Sequence, residues 1–166
     1  MTIPQRACAN RLLASLHGAA LERLMPHLSL VEMTAGDIVF ASGTQQADVY
    51  FPESATISLS YLAQNGMAAE ISIVGNDGMI GIPLFLKGKV KPCSAVVRTS
   101  GTAWRISAAL LTGEFNRSVP ALRVILAYAR SLTAQMERSA GCTADCDEDQ
   151  PSSVSYGYVA TCAQAR

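Results

Sequence analysis

The stretch TISLSYLAQNGMAAEISIV, residues 56–74, decides the fold of the chain. Two β-rich runs, Thr56 to Leu62 and Ala69 to Val74, flank Asn65-Gly66, and both turn residues tolerate the positive φ that a tight hairpin needs. Similar short runs lie on either side: Asp37 to Phe40, Asp48 to Phe51, Ala95 to Arg98 and Ala103 to Ile106. Turn clusters separate them, among them Thr34-Ala35-Gly36-Asp37, Ala41-Ser42-Gly43 and Gly75-Asn76-Asp77-Gly78. Strands so spaced, with no helical stretch between them, predict an antiparallel sandwich or barrel and exclude a βαβ fold.

Helical spacing brackets this centre. Leu12, Leu13, Leu16, Leu21, Leu24 and Leu28 recur every three to five residues and predict short capping helices over residues 1–27, with Pro26 ending the second. After the β region, residues 28–118, Ser107 stands as N-cap of a short helix, and Pro120 opens a longer one over 119–142. Leu122, Ile125, Ala129, Leu132, Met136 and Ser139 form a 3-4-3-4-3 stripe. With little chain left for that helix to pack on, Leu122, Ile125, Ala129, Leu132 and Met136 are expected at a dimer interface. From residue 143 to 165 there is no Lys or Arg, and Asp145, Asp147, Glu148 and Asp149 crowd together, so 143–166 reads as a solvated acidic tail.

Composition bounds the function. The 166 residues carry 13 Lys+Arg against 13 Asp+Glu, so no net field draws a polyanion, and no local basic patch replaces one. Charged residues are 16% and apolar ones 49%, which excludes bulk disorder. No run reaches the length of a bilayer-spanning helix and no export pattern precedes the first helix, so a cytoplasmic location away from membranes is expected. Five scattered cysteines argue against a disulfide framework. His17 and His27 stand ten residues apart, Cys142 and Cys146 make only a weak pair, and no metal site is expected. Without a nucleophile elbow or phosphate-binding glycine loop, no catalytic residues are assigned and the chain reads as a non-enzyme.

The order of signals resembles the sensor half of Crp/Fnr transcription regulators. The matching stretches are Asn10 to Leu16, Leu30 to Phe40, Val49-Tyr50-Phe51-Pro52, Gly75 to Gly81 and the helix from Leu122 to Gln135, spread over about residues 10–142. The resemblance implies an eight-strand double-sheet β-roll of the cyclic-nucleotide-binding type with flanking helices, and a long C-terminal helix that pairs with its twin. It also implies a ligand pocket at Gly81, Ile82, Leu84, Cys93 and Ser94. In the family a Glu follows the glycine and holds the ribose, and an Arg some ten residues later holds the phosphate. Here Ile82 and Cys93 stand at those positions, so no cofactor is assigned and cyclic nucleotide binding is doubtful. Lys87, Lys89 and Lys91 read as solvated loop charges, and a lining of Ile82, Leu84, Phe85, Cys93, Ala95 and Val97 suits an uncharged ligand or a roll filled by its own side chains.

Family character ends near Cys142, and the remaining residues are too few and too acidic for a DNA-reading winged helix. Truncation or a frameshift would give such an end. The expectation is a sensor and dimerisation module that forms homodimers, or heterodimers with a full-length relative, and reaches DNA only through an intact partner. The alternatives are a ligand-free interaction domain and a cupin-like metal enzyme, the latter lacking histidines after His27.

Overall fold

The computed structural model describes residues 9–145, apart from 17, 43, 45, 63–67 and 83–92. Two short helices, α1 (Arg11–Ser15) and α2 (Ala19–Leu24), come first, and a 3-10 turn over Met25–His27 takes up Pro26 where α2 stops. Seven strands follow: β1 (Ser29–Met33), β2 (Ile38–Phe40), β3 (Asp48–Pro52), β4 (Thr56–Leu62), β5 (Ala68–Val74), β6 (Cys93–Thr99) and β7 (Gly101–Ser107). Two helices come next, α3 (Ala108–Arg117) and α4 (Val119–Asp145).

The strands form two antiparallel sheets, one in the order β1-β7-β3 and one in the order β2-β6-β4-β5. This is the predicted double-sheet roll. Residues 56–62 and 68–74 pair as the opening stretch requires, although Asn65-Gly66 itself lies outside the described residues. Among the described residues, the eight strands that the resemblance implies appear as seven plus an isolated bridge between Tyr50 and Ile80. One strand the sequence did not single out is β1, which runs along the sheet edge with Ser29, Leu30 and Glu32 exposed.

Alternation fills the interior. Ile57 and Leu59 on β4, Val74 on β5, and Ala95 and Val97 on β6 are buried, while Ser58, Glu70 and Arg98 share the outer face in a hydrogen-bonded group. From the other sheet Val49, Phe51, Ala103 and Ile106 join the same core. Leu13, Leu16, Leu21 and Leu24 close it at the N-terminal end.

Caps set the helix ends. Ser107 occupies the N-cap position of α3 without a side-chain capping bond. Ser118 does cap α4, accepting from the Ala121 amide at 3.3 Å, with Pro120 in the first turn where no amide is needed. The helix extends to Asp145, three residues past its expected end, and 146–166 lie outside the described residues.

Candidate functional site

The segment of residues 75–82, which leaves β5 toward the expected pocket residues, is anchored from both ends of the chain. Its turn is closed by the Gly78 amide on the Gly75 carbonyl at 3.2 Å. Asn10, fully buried, holds it from the N-terminal side: Nδ2 donates to the carbonyls of Pro52 (2.7 Å) and Gly78 (2.9 Å), and Oδ1 accepts from the Leu13 amide (2.8 Å) as the N-cap of α1. The Arg11 amide adds a bond to the Asn76 carbonyl at 2.7 Å. From the C-terminal side the Tyr128 hydroxyl of α4 donates to the Met79 carbonyl at 3.2 Å. Burial pushes that phenol's pKa well above the usual range, against a smaller opposing effect of the Met79 bond, so it remains a neutral donor. Ile80 then exchanges two backbone bonds with Tyr50, at 2.8 and 3.1 Å.

Two glycines make this path passable. A Cβ on Gly78 would overlap the Tyr128 hydroxyl and lie 2.9 Å from both Tyr128 Cζ and Val74 Cγ1. Gly81 sits at φ 123°, a conformation that side chains disfavour, and delivers the chain into the pocket region at buried Ile82.

The inner face of the β2-β6-β4-β5 sheet carries the expected pocket residue Cys93. Register places its rows: Val74, Ile57 and Val97; then Ser72, Leu59 and Ala95; then Ala69, Tyr61 and Cys93. Cys93 is half-buried at the start of β6. Ser94 pairs with Ser60 and so falls on the opposite face of β6 from Cys93. Leu84, with Phe85 and the three lysines, lies outside the described residues. Ser72 was not singled out from the sequence: it is 4% exposed, and its hydroxyl finds no hydrogen-bond partner. Among the described residues, Trp104 Nε1 on β7, opposite Leu30 and Phe51, is likewise a buried side-chain polar atom without a partner.

The expected dimer seam is only partly available. Ile125, Ala129 and Leu132 are buried inside the single chain, and Met136 packs against the same core, because α4 lies along β5 and against α1 and α3. A 3-4 stripe marks the apolar face of a helix and leaves open what covers it; here the chain's own roll does. Leu122 is 37% exposed and its neighbour Leu126 46%, with Val119 exposed beside them. Away from the pocket, Glu114 of α3 is buried and accepts from Nε (2.9 Å) and Nη2 (2.5 Å) of Arg23 on α2, and these bonds hold its carboxyl below the usual carboxylate range. Among the described residues no three His, Cys, Asp or Glu side chains converge as a metal site would require, and no helix is long and apolar enough to cross a membrane.

Residues 30–118, more than half of the chain, match the cyclic nucleotide-binding domain family. The chain belongs to that family. No curated protein matches it. Among solved structures it is similar to the c-di-GMP-responsive global regulator CLP of Xanthomonas campestris, with a TM-score of 0.64, 19% identity, and coverage of 77% of this chain and 65% of that one. The sensor domain of the transcriptional regulator DNR from Pseudomonas aeruginosa superposes with a TM-score of 0.62 at 15% identity, covering 89% of this chain and 95% of that one. A Crp/Fnr-family regulator from Eubacterium rectale gives 0.65 at 14% identity, over 82% and 62%. The chain thus spans about two thirds of the full regulators and nearly all of an isolated sensor domain. Structural neighbours of Crp/Fnr type agree with the two-sheet roll.

Proposed function

We propose that this chain is a non-enzymatic sensor and dimerisation module of a cytoplasmic Crp/Fnr-type regulator, and that it does not grip DNA through its own residues. The observation that carries the reading is the join between pocket and helix: Tyr128 of α4 bonds the Met79 carbonyl three residues before Ile82, so the pocket entrance and the long helix share one fixed point. A ligand that moved residues 79–82 would move α4, which is how differential contacts in one site bias a distant one. Residues 143–165 carry no Lys or Arg to meet phosphate, which supports DNA contact through a partner chain.

The pairing face is the outer strip of α4. Leu122, Leu126, Ala129, Thr133 and Met136 repeat at 4-3-4-3, and Leu122, Leu126 and Thr133 are exposed. This strip borders the buried stripe and shares Ala129 and Met136 with it. Sedimentation of the purified chain tests the reading. The wild type is expected as a dimer and Leu126→Glu as a folded monomer, since a carboxylate at a closed apolar seam would be buried without a partner. A wild type that stays monomeric at high micromolar concentration overturns the pairing role.

A further inference from the structure

Outside the roll, α2 with the 3-10 turn that follows it and α3 leave a cleft of about 350 Å³ between them. Small-molecule sites run from about 300 to 1,000 Å³, so the cleft is large enough to hold one. Part of its lining is apolar: Leu24 is buried there, and Leu110 lines it while 44% exposed. The charges that line it do not cancel. Glu114 takes up Nε and Nη2 of Arg23, which leaves Nη1. Arg117 lines the same cleft, exposed, and its charge reaches Glu114 without a hydrogen bond. Two guanidiniums against one carboxylate leave the lining net positive, with the exposed His27 ring as a further donor.

Gly113 keeps this space open. It stands inside α3, where glycine is a weaker helix former than alanine, and a Cβ there would meet nothing within 4 Å. Packing therefore does not demand the glycine, and a longer side chain would take up room in the cleft that Gly113 lines.

We infer that the cleft binds a small amphipathic carboxylate, with its anionic end on Arg117 and Arg23 and its apolar body against Leu24 and Leu110 across Gly113. A guanidinium presents paired donors that match a carboxylate, and a body of apolar atoms covers Leu110, which a bare inorganic anion leaves exposed. The inference does not depend on the sensor reading, because none of these residues belongs to the strands or to residues 75–82. Arg117 immediately precedes Ser118, the cap of α4, so the occupant sits where the long helix begins.

Calorimetric titration of the full chain tests this with three probes: cinnamate, its neutral counterpart cinnamyl alcohol, and inorganic phosphate. Cinnamate is expected to bind about tenfold more tightly than either of the others, the worth of one charge-assisted hydrogen bond. Arg117→Gln, at an exposed position, is expected to melt as the wild type does and to bind cinnamate about tenfold more weakly. Gly113→Leu is expected to melt no lower than wild type, because leucine is the better helix former, and to lose cinnamate by filling the cleft. Cinnamyl alcohol bound as tightly as cinnamate, or Arg117→Gln binding as wild type does, would remove the arginine anchor and overturn the proposal. Phosphate bound as tightly would overturn the apolar half of it. Undiminished binding by a folded Gly113→Leu, or no heat from cinnamate at millimolar concentration, would overturn the site itself. The sensor reading stands in each case.

Discussion

Replacing Gly78 by alanine should loosen α4 from the roll. The new methyl would overlap the Tyr128 hydroxyl and press within 2.9 Å of Tyr128 Cζ and of Val74 Cγ1, and neither neighbour can easily retreat. Tyr128 is anchored by its bond to the Met79 carbonyl, and Val74 is buried at the end of β5. Overpacking of this kind costs about 1–3 kcal/mol. Gly→Ala substitution returns about 0.4–1 kcal/mol by restricting the unfolded chain, which leaves a net loss of about 1–2 kcal/mol. In a domain of this size that lowers the melting temperature by about 3–6 °C. Tyr128→Leu removes the far end of the ring, so Gly78→Ala made on that background should lose much less. Urea denaturation of the wild type, both single variants and the double variant gives the coupling, expected at about 1 kcal/mol or more. A Gly78→Ala protein as stable as wild type, or strictly additive losses, would refute the tight contact between the pocket segment and the helix.

Asn10→Ala deletes two donors and a cap at a fully buried position and leaves the Pro52 and Gly78 carbonyls and the Leu13 amide unpaired; a loss of about 2–4 kcal/mol in urea denaturation is expected. Asn10→Asp keeps the cap but not the donors, and should be no better. For Glu114, whose pKa is lowered first by the Arg23 hydrogen bonds, the stabilisation is present above the ordinary glutamate value of 4.5 and is lost as pH falls through the lowered folded value. Melting curves from about pH 7 to about pH 3 should therefore show the wild type losing more stability than Glu114→Gln across the acid limb, with the two curves converging at the acid end; parallel curves would show that the pair contributes nothing pH-dependent.

Most of the β architecture was legible because turns and strands announce themselves locally. Each of the six runs read as strands is a strand, and Asp48 to Phe51 and Thr56 to Leu62 are right almost to the residue. β1 escaped because an edge strand needs no apolar alternation: Leu30 and Glu32 both face solvent, and only Met33 is buried. The site was less legible, since its parts are defined by long-range pairing. Asn10 is a polar residue before a short helix, which reads as a cap and no more, yet its other bonds reach residues 42 and 68 positions away. Ser72 looks like one more polar residue of an alternating strand until its burial is known. Ile82 and Cys93 were informative in the opposite sense, because an apolar residue where a charge is expected is visible without coordinates.

The long helix shows where periodicity stops being sufficient. Its apolar residues occupy two adjoining stripes, Ile125, Ala129 and Leu132 toward the roll, and Leu122, Leu126 and Thr133 toward solvent. A stripe facing one core spans roughly 100° or more of the helix surface, and here only the inner part of the arc is covered. Ile125, Ala129 and Leu132 are covered by the chain's own roll, while Leu122 and Leu126 remain exposed. On the proposed reading the same geometry would give α4 regulatory leverage: fixed at Met79 by Tyr128 on one side and paired with a second copy on the other, the helix could not rotate to suit one neighbour without disturbing the other.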